Sequence, residues 1–544
     1  MSISKIRAML AADPEVGVGN VLHKLIEHGE PLDSVGMTFD VDVDGFPAFT
    51  GLTLGQLYER AAARAAWFHA HGIGPRDPVA LYVSTSADMF LCFLGLTWLG
   101  AIPCLMNPNI PGDIAAEYIN KLRAVGVIAD ASRRERLSGH DLSVPILGDA
   151  AEVGTGDPGQ APPRYHHHDT DPIAVTHSSG TTRLPTAAVQ THGNLFYSIR
   201  RIRLGHPRAQ GTARIMCALP SAHAAGIVTI NFALSNRCEL LYLSRQDDGA
   251  EIVSAIERWK PTGVFGFAVT WAELARYDLS RHDLDSVALW FNTGDCAHET
   301  HIRHLIAAGS RDTATRDGVR RTRGSWFVDG LGSTEMGHAA FHITHHAGTN
   351  RYGRCVGIPH IFAEIALLDV KTGKEVPVGQ VGHCGLKSPT LSPGYWNDSV
   401  NTYRNRLNGY YLTGDLLYRD EDGYYYHVDR AVDAIDLGGG EFLYTAMSEE
   451  RILKACPDVR DCTVVSANSG GEVVTDVLIN LHTGADPDLD RTETVRGALT
   501  PAAAATLRQV IVIDNDQLIV GPTGKVRKFL MRQRHLAQLA AAHG

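Results

Sequence analysis

The sequence lacks several features that would place it in a specialised class of protein. Its nine cysteines include no Cys-x-x-Cys pair, which argues against a zinc ribbon or a disulfide framework. No basic block is long enough to favour nucleic acid as a partner, and the formal net charge is −10. The first residues, Met-Ser-Ile-Ser-Lys-Ile-Arg, contain no secretory hydrophobic region. We therefore expect a cytoplasmic protein in a reducing compartment.

A continuous apolar run long enough to cross a membrane is also missing. The most apolar stretch, Met89 to Met106, is interrupted by Gly95, Gly100 and Pro103. It predicts a buried helix followed by a strand, and no membrane partner. The chain has 544 residues, of which 44% are hydrophobic and 20% charged. This length and composition are typical of a globular enzyme with more than one domain.

Helical and strand patterns alternate in the N-terminal part of the chain. They predict a helix over 52–71, a strand over 78–83 and a helix over 87–100. Such alternation is typical of an α/β fold. A turn-rich region over 393–430 instead predicts antiparallel strands, since an Asp-Gly pair within it favours a hairpin. We expect one large N-terminal domain over 1–429, with layered α/β subdomains and a β-rich subdomain.

The pattern restarts after residue 429. The predicted elements are a helix over 446–455, strands over 462–467 and 473–481, a helix over 491–505 and a strand over 510–513. These elements predict a small α+β domain over 430–544.

A loop rich in hydroxyl groups follows the strand predicted over 172–176. Its residues are Ser178, Ser179, Gly180, Thr181, Thr182 and Arg183. Such a loop can place backbone N–H and side-chain O–H groups around a polyanion, although the pattern alone is equally typical of an ordinary turn. Arg183 stands where such loops prefer a second glycine, and Thr186 stands where a lysine is usual.

Four further segments carry groups suited to a nucleotide. Asp415 follows a glycine and can accept hydrogen bonds from ribose hydroxyls, and Arg430 can bridge to ribose or phosphate. Lys525, flanked by glycines, would bring a positive charge to a transition state. The remaining segment offers a threonine hydroxyl to a phosphate and a glutamate to Mg²⁺. It comprises Asp329, Gly330, Leu331, Gly332, Ser333, Thr334 and Glu335.

Taken in this order, the segments resemble the adenylate-forming superfamily, which includes acyl- and aryl-CoA ligases, luciferase and peptide-synthetase adenylation domains. Four further matches are Pro-Ser-Ala-His-Ala-Ala-Gly over 220–226, Thr-Gly-Asp-Cys-Ala over 293–297, Val-Gly-Ile-Pro over 356–359 and Gly-Tyr-Trp over 394–396. The resemblance implies that a carboxylate attacks the α-phosphorus of Mg·ATP, giving an acyl-adenylate and pyrophosphate. It also implies that the C-terminal domain is mobile and rotates after adenylation about a hinge at 431–432.

The resemblance assigns roles to the matching residues. Lys525 would bridge the ribose, the α-phosphate and the carboxylate, and Thr334 with Glu335 would hold the α-phosphate and Mg²⁺. His223 would form a lid over the acid pocket, or else serve as a structural histidine. Thr182 would be a second metal ligand. The nucleotide contacts would come from Ser178, Ser179, Gly180, Thr181, Thr182, Arg183, Gly294, Asp295, Asp329, Gly330, Leu331, Gly332, Ser333, Asp415 and Arg430.

Two departures from the family pattern leave the second substrate open. Where many members carry a lysine in the loop that lines the thiol tunnel, this chain has Asp436. Arg183 and Thr186 alter the phosphate loop. We expect adenylation of a small or aromatic carboxylic acid, followed by transfer to CoA or a carrier-protein thiol. One alternative is a diazotase that activates nitrite and couples it to an arylamine, and another is a catalytically silent nucleotide-binding protein.

Several histidines raise a metal-binding alternative. They are grouped at 166–168 and at His342, His345 and His346, without a second ligand cluster at suitable spacing. This arrangement is more typical of surface histidines than of a metal centre.

Overall fold

Strands and helices alternate along the chain, as the α/β prediction requires. The computed structural model describes residues 3–177, 184–204, 213–246, 248–316, 318–469, 472–517, 519, 530–531, 533–534 and 537–538. Its α/β architecture, with a sheet-rich region late in the chain, confirms the predicted fold class. The domain boundary at 429/430 stays a prediction, as does the mobility of the C-terminal domain.

Helices are distributed over the full described length. In chain order, the α-helices are α1 (Ile3–Ala12), α2 (Val21–Glu27), α3 (Leu54–Ala70), α4 (Ser86–Trp98), α5 (Gly112–Leu122), α6 (Ala131–Leu137), α7 (Ala150–Val153), α8 (Asn194–Ser198), α9 (Ala224–Asn236), α10 (Gly249–Trp259), α11 (Ala268–Leu274), α12 (Glu299–Ala307), α13 (Ser399–Arg404), α14 (Thr445–Ala455), α15 (Thr492–Ala498) and α16 (Pro501–Thr506). Short 3-10 turns lie at Pro158–Gln160, Leu279–Arg281 and Asn515–Gln517, and one π-helical turn spans Ile199–Leu204.

The strands are short in most of the fold. In chain order, they are β1 (Val35–Phe39), β2 (Gly51–Thr53), β3 (Pro78–Tyr82), β4 (Ile102–Leu105), β5 (Gly126–Ala129), β6 (Ile146–Gly148), β7 (Pro172–His177), β8 (Ala187–Thr191), β9 (Arg214–Cys217), β10 (Glu239–Tyr242), β11 (Gly263–Phe267), β12 (Leu289–Thr293), β13 (Ser310–Thr315), β14 (Gly318–Arg323), β15 (Trp326–Asp329), β16 (Phe341–His345), β17 (Cys355–Pro359), β18 (Glu364–Leu368), β19 (Gly382–Lys387), β20 (Arg406–Leu407), β21 (Tyr410–Arg419), β22 (Tyr425–Arg430), β23 (Ile435–Gly438), β24 (Glu441–Leu443), β25 (Val459–Ser469), β26 (Glu472–Leu481) and β27 (Leu507–Val512).

Two large sheets form the N-terminal part. The first has the order β6-β5-β3-β4-β7-β8 and is parallel except for the β7–β8 pair. The second runs from parallel strands β10, β9, β11, β12 and β15 into the antiparallel strands β16 to β22. This change of direction produces the β-rich subdomain predicted from the turn-rich sequence.

Helix α4 joins the two large sheets. Nearly all of its residues are buried, as expected of a helix that is apolar on every side. The same hydrophobic core contains Leu81 and Ile128 from the first sheet and Cys217 and Phe265 from the second. Burial of this apolar surface fixes the two sheets relative to each other, and the carboxyl ends of their parallel strands provide the loops of the site.

The C-terminal part has its own core. Helix α14 packs on strands β25, β26 and β27, and Ile452, Val464 and Val477 are fully buried between them. Strands β26 and β27 are parallel, whereas β25 and β26 are antiparallel.

The helix predicted over 491–505 is wrong as one element, because the structure divides it into α15 and α16. Pro501 cannot donate a backbone hydrogen bond, and it disfavours helical geometry at Thr500. Thr500 instead caps α16, since its Oγ1 accepts a hydrogen bond from Ala503 N at 3.3 Å.

The prediction of surface histidines holds only in part. His166, His168 and His346 are exposed, but His167 and His345 are buried. His167 Nε2 donates a hydrogen bond to Thr97 O at 2.8 Å, and His345 stacks on Tyr352. Across the described residues, no group of three or more His, Cys, Asp or Glu side chains is arranged to hold a metal ion. Nor does that part of the chain contain a helix with the length and apolar content to cross a membrane.

Candidate active site

A cavity of about 720 Å³ collects most of the described residues that the sequence assigns to a nucleotide. It lies where the ends of the parallel strands meet the antiparallel subdomain and the C-terminal part. The predicted site residues on its wall are His223, Gly294, Asp295, Leu331, Gly332, Ser333, Thr334, Glu335, Asp415 and Arg430. Segments far apart in sequence therefore face one space.

The loop that follows β15 forms one side of the cavity. Gly332 N donates a hydrogen bond to Gly294 O at 2.9 Å, which ties this loop to the turn after β12. Gln190 Nε2, from β8, donates to Thr334 O at 3.0 Å. Strand β8 pairs with β7, after which the hydroxyl-rich segment begins. The Thr334 loop is thus anchored to the strand pair that flanks the predicted phosphate loop.

Glu335 has a defined orientation at the cavity wall. Tyr395 Oη donates a hydrogen bond to Glu335 Oε1 at 3.0 Å, and Ser392 N donates to the Glu335 carbonyl oxygen at 2.8 Å. Burial and the neighbouring Glu335 charge raise the pKa of Tyr395 above its ordinary value, so its hydroxyl stays protonated as a donor. The Glu335 carboxylate is therefore fixed in orientation, and its oxygens keep lone pairs that are available to a ligand.

Asp415 and Arg430 are paired across adjacent strands. They face each other in the β21–β22 register, and Arg430 Nε lies 3.2 Å from Asp415 Oδ1. Gly414, at φ 84°, permits this approach, because a Cβ there would lie 3.2 Å from the Arg430 guanidinium. Burial would raise the pKa of Asp415, but Arg430 and His427 lower it, so the carboxylate is ionised.

A chain of charged and polar groups continues behind Asp415. His427 Nε2 lies 3.4 Å from Asp415 Oδ1, and His427 Nδ1 lies 2.7 Å from the Arg354 guanidinium. Arg354 also lies 3.3 Å from Asp295 Oδ1. Arg354 is buried. The loss of solvent opposes its charge, but nearby anionic groups raise the pKa of its guanidinium above the ordinary value. The network connects the Gly294–Asp295 turn to the Asp415–Arg430 pair.

Asp329 and Gly330 do not line the cavity, although the sequence analysis placed them among the nucleotide contacts. Asp329 is 1% exposed and accepts hydrogen bonds from Asn292 Nδ2 at 2.6 Å and Ala297 N at 3.3 Å. Burial raises the pKa of Asp329 to about 6. Through these hydrogen bonds, the Asp329 side chain stabilises the turns beneath the site.

His223 lies at the start of α9 and on the cavity wall. It is 8% exposed, and its ring contacts Phe267 edge to face at 5.3 Å between centroids. The histidine therefore borders an aromatic part of the cavity, as the predicted lid over a substrate pocket requires. Its role stays a prediction.

Part of the predicted machinery lies outside the described residues. This applies to Ser178, Ser179, Gly180, Thr181, Thr182, Arg183 and Lys525. Their roles stay predictions, including Thr182 as a metal ligand. Thr186, which replaces the usual lysine, is described and lines the cavity.

Three residues that organise the site are not predicted from the sequence: Arg354, Tyr395 and His427. Each lies in or near a recognised segment. Arg354 comes two residues before Val-Gly-Ile-Pro, Tyr395 belongs to Gly-Tyr-Trp, and His427 comes three residues before Arg430. Proximity to these motifs was the only available signal, because the contacts depend on strand pairing.

The donor set at Glu335 fits Mg²⁺ bound together with a nucleotide. Mg²⁺ prefers hard oxygen ligands and is commonly held by one or two carboxylates, substrate phosphates and water. Glu335 supplies an oriented carboxylate beside the Thr334 hydroxyl, on the wall of a cavity large enough for a nucleotide. A metal bound there would neutralise phosphate charge.

A family profile described as "AMP-binding enzyme" matches residues 41–396. The chain belongs to this family and is an AMP-forming ligase of the adenylate-forming type. The predicted resemblance is therefore confirmed. Enzymes of this type use ATP and Mg²⁺, in agreement with the oxygen donors in the cavity.

Individual relatives differ in their second substrates. The chain is 41% identical over 557 aligned positions to 3-aminoavenalumate diazotase from Streptomyces sp, with 98% of each chain covered. It is 28% identical to feruloyl-CoA synthase from Amycolatopsis sp, covering 76% of this chain and 80% of the relative. Among solved structures, anthranilate CoA ligase AuaEII in complex with anthranoyl-AMP matches with a TM-score of 0.80 and 19% identity over 100% of both chains. That match shows the shared fold.

Proposed function

We propose that this protein is an ATP-dependent diazotase, which activates nitrite and couples it to an arylamine. The observation that carries the proposal is the 41% identity to a diazotase over 98% of both chains. The contacts that orient Glu335, Asp415 and Arg430 on the cavity wall support their proposed roles in adenylation. Nitrite and a carboxylate are both small anions with two oxygens, so the same adenylation geometry serves either one.

The proposed reaction has three balanced stages. A nitrite oxygen attacks the α-phosphorus of ATP, pyrophosphate leaves, and a nitrosyl adenylate forms. The amine nitrogen then attacks the nitrosyl nitrogen, the bond to the AMP oxygen breaks, and the amine loses a proton. The N-nitrosamine tautomerises to the diazohydroxide, which takes up a proton and loses water as the aryl diazonium ion forms. Nitrogen is neither oxidised nor reduced by an external reagent.

The chain's residues would act mainly by positioning. Asp415 would accept hydrogen bonds from the ribose, with Arg430 holding its carboxylate, and Thr334 would donate to the α-phosphate. Phosphoryl transfer depends largely on alignment and charge stabilisation, so this site needs no general base for an already anionic nitrite. Lys525 is proposed to reach the α-phosphate in the adenylating state.

The segment that would face a thiol substrate is altered. Strands β23 and β24 form a hairpin in which Asp436 Oδ1 accepts a hydrogen bond from Gly438 N at 2.8 Å. Three successive glycines with positive φ make the turn, at 438–440. An acidic side chain at position 436 would repel the phosphates of CoA at short range. This supports a second substrate other than CoA.

The test is formation of a diazonium ion at mildly alkaline pH, where little free nitrous acid exists. The protein is incubated with Mg·ATP, nitrogen-15-labelled nitrite and an arylamine, and the product is trapped as an azo dye. We expect one labelled nitrogen per dye and one pyrophosphate per diazonium. Reactions without ATP, or with the Glu335→Gln variant, control for chemical nitrosation.

The second candidate is adenylation of an aromatic carboxylic acid and transfer to CoA or a carrier-protein thiol. The feruloyl-CoA synthase relative supports it. An acid-dependent release of pyrophosphate that leads to a CoA thioester, without any labelled dye, would replace the diazotase proposal. Absence of pyrophosphate release with every anion tested would favour a silent nucleotide-binding protein.

A further inference from the structure

Arg203 lies on the wall of the active-site cavity, on the π-helical turn Ile199–Leu204. π-Helical turns are rare and are frequent at functional sites. Arg203 is an exposed residue, although partial desolvation by the surrounding protein lowers its pKa. A guanidinium nevertheless remains charged at neutral pH.

The other arginines of this region have different surroundings. The Arg200 guanidinium donates to backbone carbonyls of the N-terminal segment, among them Ala11 O at 3.1 Å and Val16 O at 2.6 Å. Arg7 donates a hydrogen bond to the Arg203 carbonyl oxygen and so stabilises the π-helical turn. Arg201 is exposed and does not line the cavity. Arg203 is thus the member of the set that faces the site.

One aromatic ring lies beside Arg203, and two more continue from it along the cavity wall. Its guanidinium lies 5.5 Å from the centre of the Phe232 ring, which stacks on Phe265. Phe265 in turn contacts Phe291, with 4.7 Å between ring centres. These rings form an apolar wall suited to a flat aromatic substrate.

The nearby histidines do not neutralise Arg203. Burial and the positive charge of Arg203 lower the pKa of His338 to about 4, and burial with neighbouring histidines and Arg203 lowers that of His360 to about 3. Both rings are neutral at physiological pH. His338 Nδ1 lies 2.9 Å from Ala339 O and is therefore the protonated nitrogen. One net positive charge remains at this end of the cavity.

No carboxylate within the described chain pairs with Arg203. The segment that follows it, 205–212, contains neither Asp nor Glu. Ser198 lines the same cavity and is 2% exposed. Its hydroxyl oxygen has no hydrogen-bond partner among the described groups. Buried polar groups usually have partners, so the unpartnered Ser198 hydroxyl indicates a ligand in the cavity that Arg203 also lines.

We infer that Arg203 and Ser198 bind a carboxylate carried by the aromatic amine substrate, at the end remote from the amine. The inference rests on the proposed diazotase function and specifies its acceptor: an aminoaryl carboxylate. A planar guanidinium matches a carboxylate in a two-point hydrogen bond, and Ser198 Oγ can add a third donor. The aromatic wall would hold the ring between this anchor and the nitrosyl adenylate.

The test compares each amino acid substrate with its methyl ester, which removes the negative charge and keeps the ring and the amine. The probes are 3-aminobenzoate, 3-aminocinnamate and their methyl esters, with diazonium formation as the readout. We expect the wild type to prefer the acids by about 10- to 100-fold in kcat/KM, the range of a hydrogen-bonded charge pair. Arg203→Met should reduce this ratio to near one, chiefly through KM. Arg203→Lys should restore part of it, and Arg201→Met should preserve it.

Ser198→Ala provides a second variant in case Arg203→Met does not fold. It should lower the acid-to-ester ratio by about 2- to 10-fold, as loss of a neutral donor does. Equal rates for acids and esters in the wild type would overturn the inference, as would an unchanged ratio in Arg203→Met or in Ser198→Ala. So would a variant that raises only the KM for nitrite, since Arg203 would then hold nitrite. Failure of the diazotase proposal is distinguishable, because no diazonium would then form from any amine, esters included.

Discussion

At the scale of single residues, the site alternates positive and negative groups around the proposed ribose position. Asp295, Arg354, His427, Asp415 and Arg430 form a continuous series of contacts between 2.7 and 3.4 Å. Each charge has an opposite or hydrogen-bonding neighbour, and for the buried Arg354 and Asp415 this neighbour offsets the cost of burial. The consequence is a carboxylate, Asp415, held ionised and fixed in orientation before any ligand binds.

Asp415→Asn tests this assignment. An amide cannot accept hydrogen bonds from two ribose hydroxyls with both of its polar atoms, and Arg430 loses its partner. We expect the KM for ATP in anion-dependent pyrophosphate release to rise by about 10- to 100-fold. Asp422→Asn is the matched control, because Asp422 lies in the turn of the same hairpin and, among the described residues, forms only an exposed ion pair with Arg351. Equal KM values in Asp415→Asn and wild type would exclude Asp415 as the ribose ligand.

Tyr395→Phe tests the orientation of Glu335. The variant removes the hydroxyl that donates to Glu335 Oε1 at 3.0 Å and keeps the ring. Loss of a group that orients a metal ligand commonly costs about 10- to 100-fold in metal affinity. We therefore expect a higher Mg²⁺ concentration at half-maximal pyrophosphate release, measured at fixed ATP. Tyr403→Phe is the control, because Tyr403 is an exposed tyrosine of α13, and it should show the wild-type Mg²⁺ dependence. If Tyr395→Phe also showed the wild-type dependence, Tyr395 would not orient Glu335 for metal binding.

At the scale of elements, the sequence predicts contiguous loops better than contacts between strands. The loop over 329–337 and the Thr-Gly-Asp segment could be recognised because each motif carries its chemistry within a few residues. His427 and Arg354 meet because β17 pairs with β22 in a specific register. Alternation predicts which face a strand residue occupies, but not which strand lies beside it. The helix predicted over 491–505 is wrong for a local reason, since Pro501 starts a new helix instead of continuing α15.

The contact between α3 and α4 provides a test of packing at this scale. Gly95 in α4 lies against α3 so closely that an added Cβ would stand 2.6 Å from Arg64 Cβ and 3.2 Å from Ala65 N. Both helices must separate to admit a methyl group, so Gly95→Ala should destabilise the fold by about 1–3 kcal/mol and lower the melting temperature.

Gly497→Ala is the matched control for this prediction, since it makes the same change within helix α15. A Cβ at Gly497 meets nothing within 4 Å, and alanine favours helix over glycine by about 0.5–1 kcal/mol. Thermal unfolding followed by fluorescence should show opposite shifts for the two variants. A melting temperature for Gly95→Ala at or above that of the wild type would show that the helices accommodate the methyl group.

At the scale of the whole molecule, the C-terminal part rests on the N-terminal part beside the cavity. Glu450 on α14 is 4% exposed, and its Oε2 lies 2.7 Å from His298 Nδ1. Glu299 N, at the start of α12, donates to the Glu450 carboxylate at 3.3 Å. A carboxylate at a helix N-terminus is favoured by the helix dipole. A rotation of the C-terminal domain, as the family resemblance implies, would have to break these contacts.

Acidification should therefore release the C-terminal part. Burial would raise the pKa of Glu450, but the His298 hydrogen bond and charge lower it below that of an ordinary glutamate. The docked state then binds fewer protons than the released state. Its stabilisation is present above the ordinary glutamate pKa of about 4.3 and is lost as the pH falls through the lower docked value. Small-angle scattering across this range should show an increase in the radius of gyration before the secondary structure is lost.

Replacing Glu450 should produce the same release at neutral pH. Without the carboxylate, His298 and the α12 N-terminus lose their partner, so Glu450→Ala should accelerate amide hydrogen exchange in a peptide spanning 299–303. Glu493→Ala is the matched control, because Glu493 is highly exposed and its one ion pair in the described part of the chain is with Arg496 of the same helix. The prediction is contradicted if the peptide exchanges equally slowly in wild type and in both variants. The other contacts, such as that of His301 with Arg460 O, would then suffice to hold the two parts together.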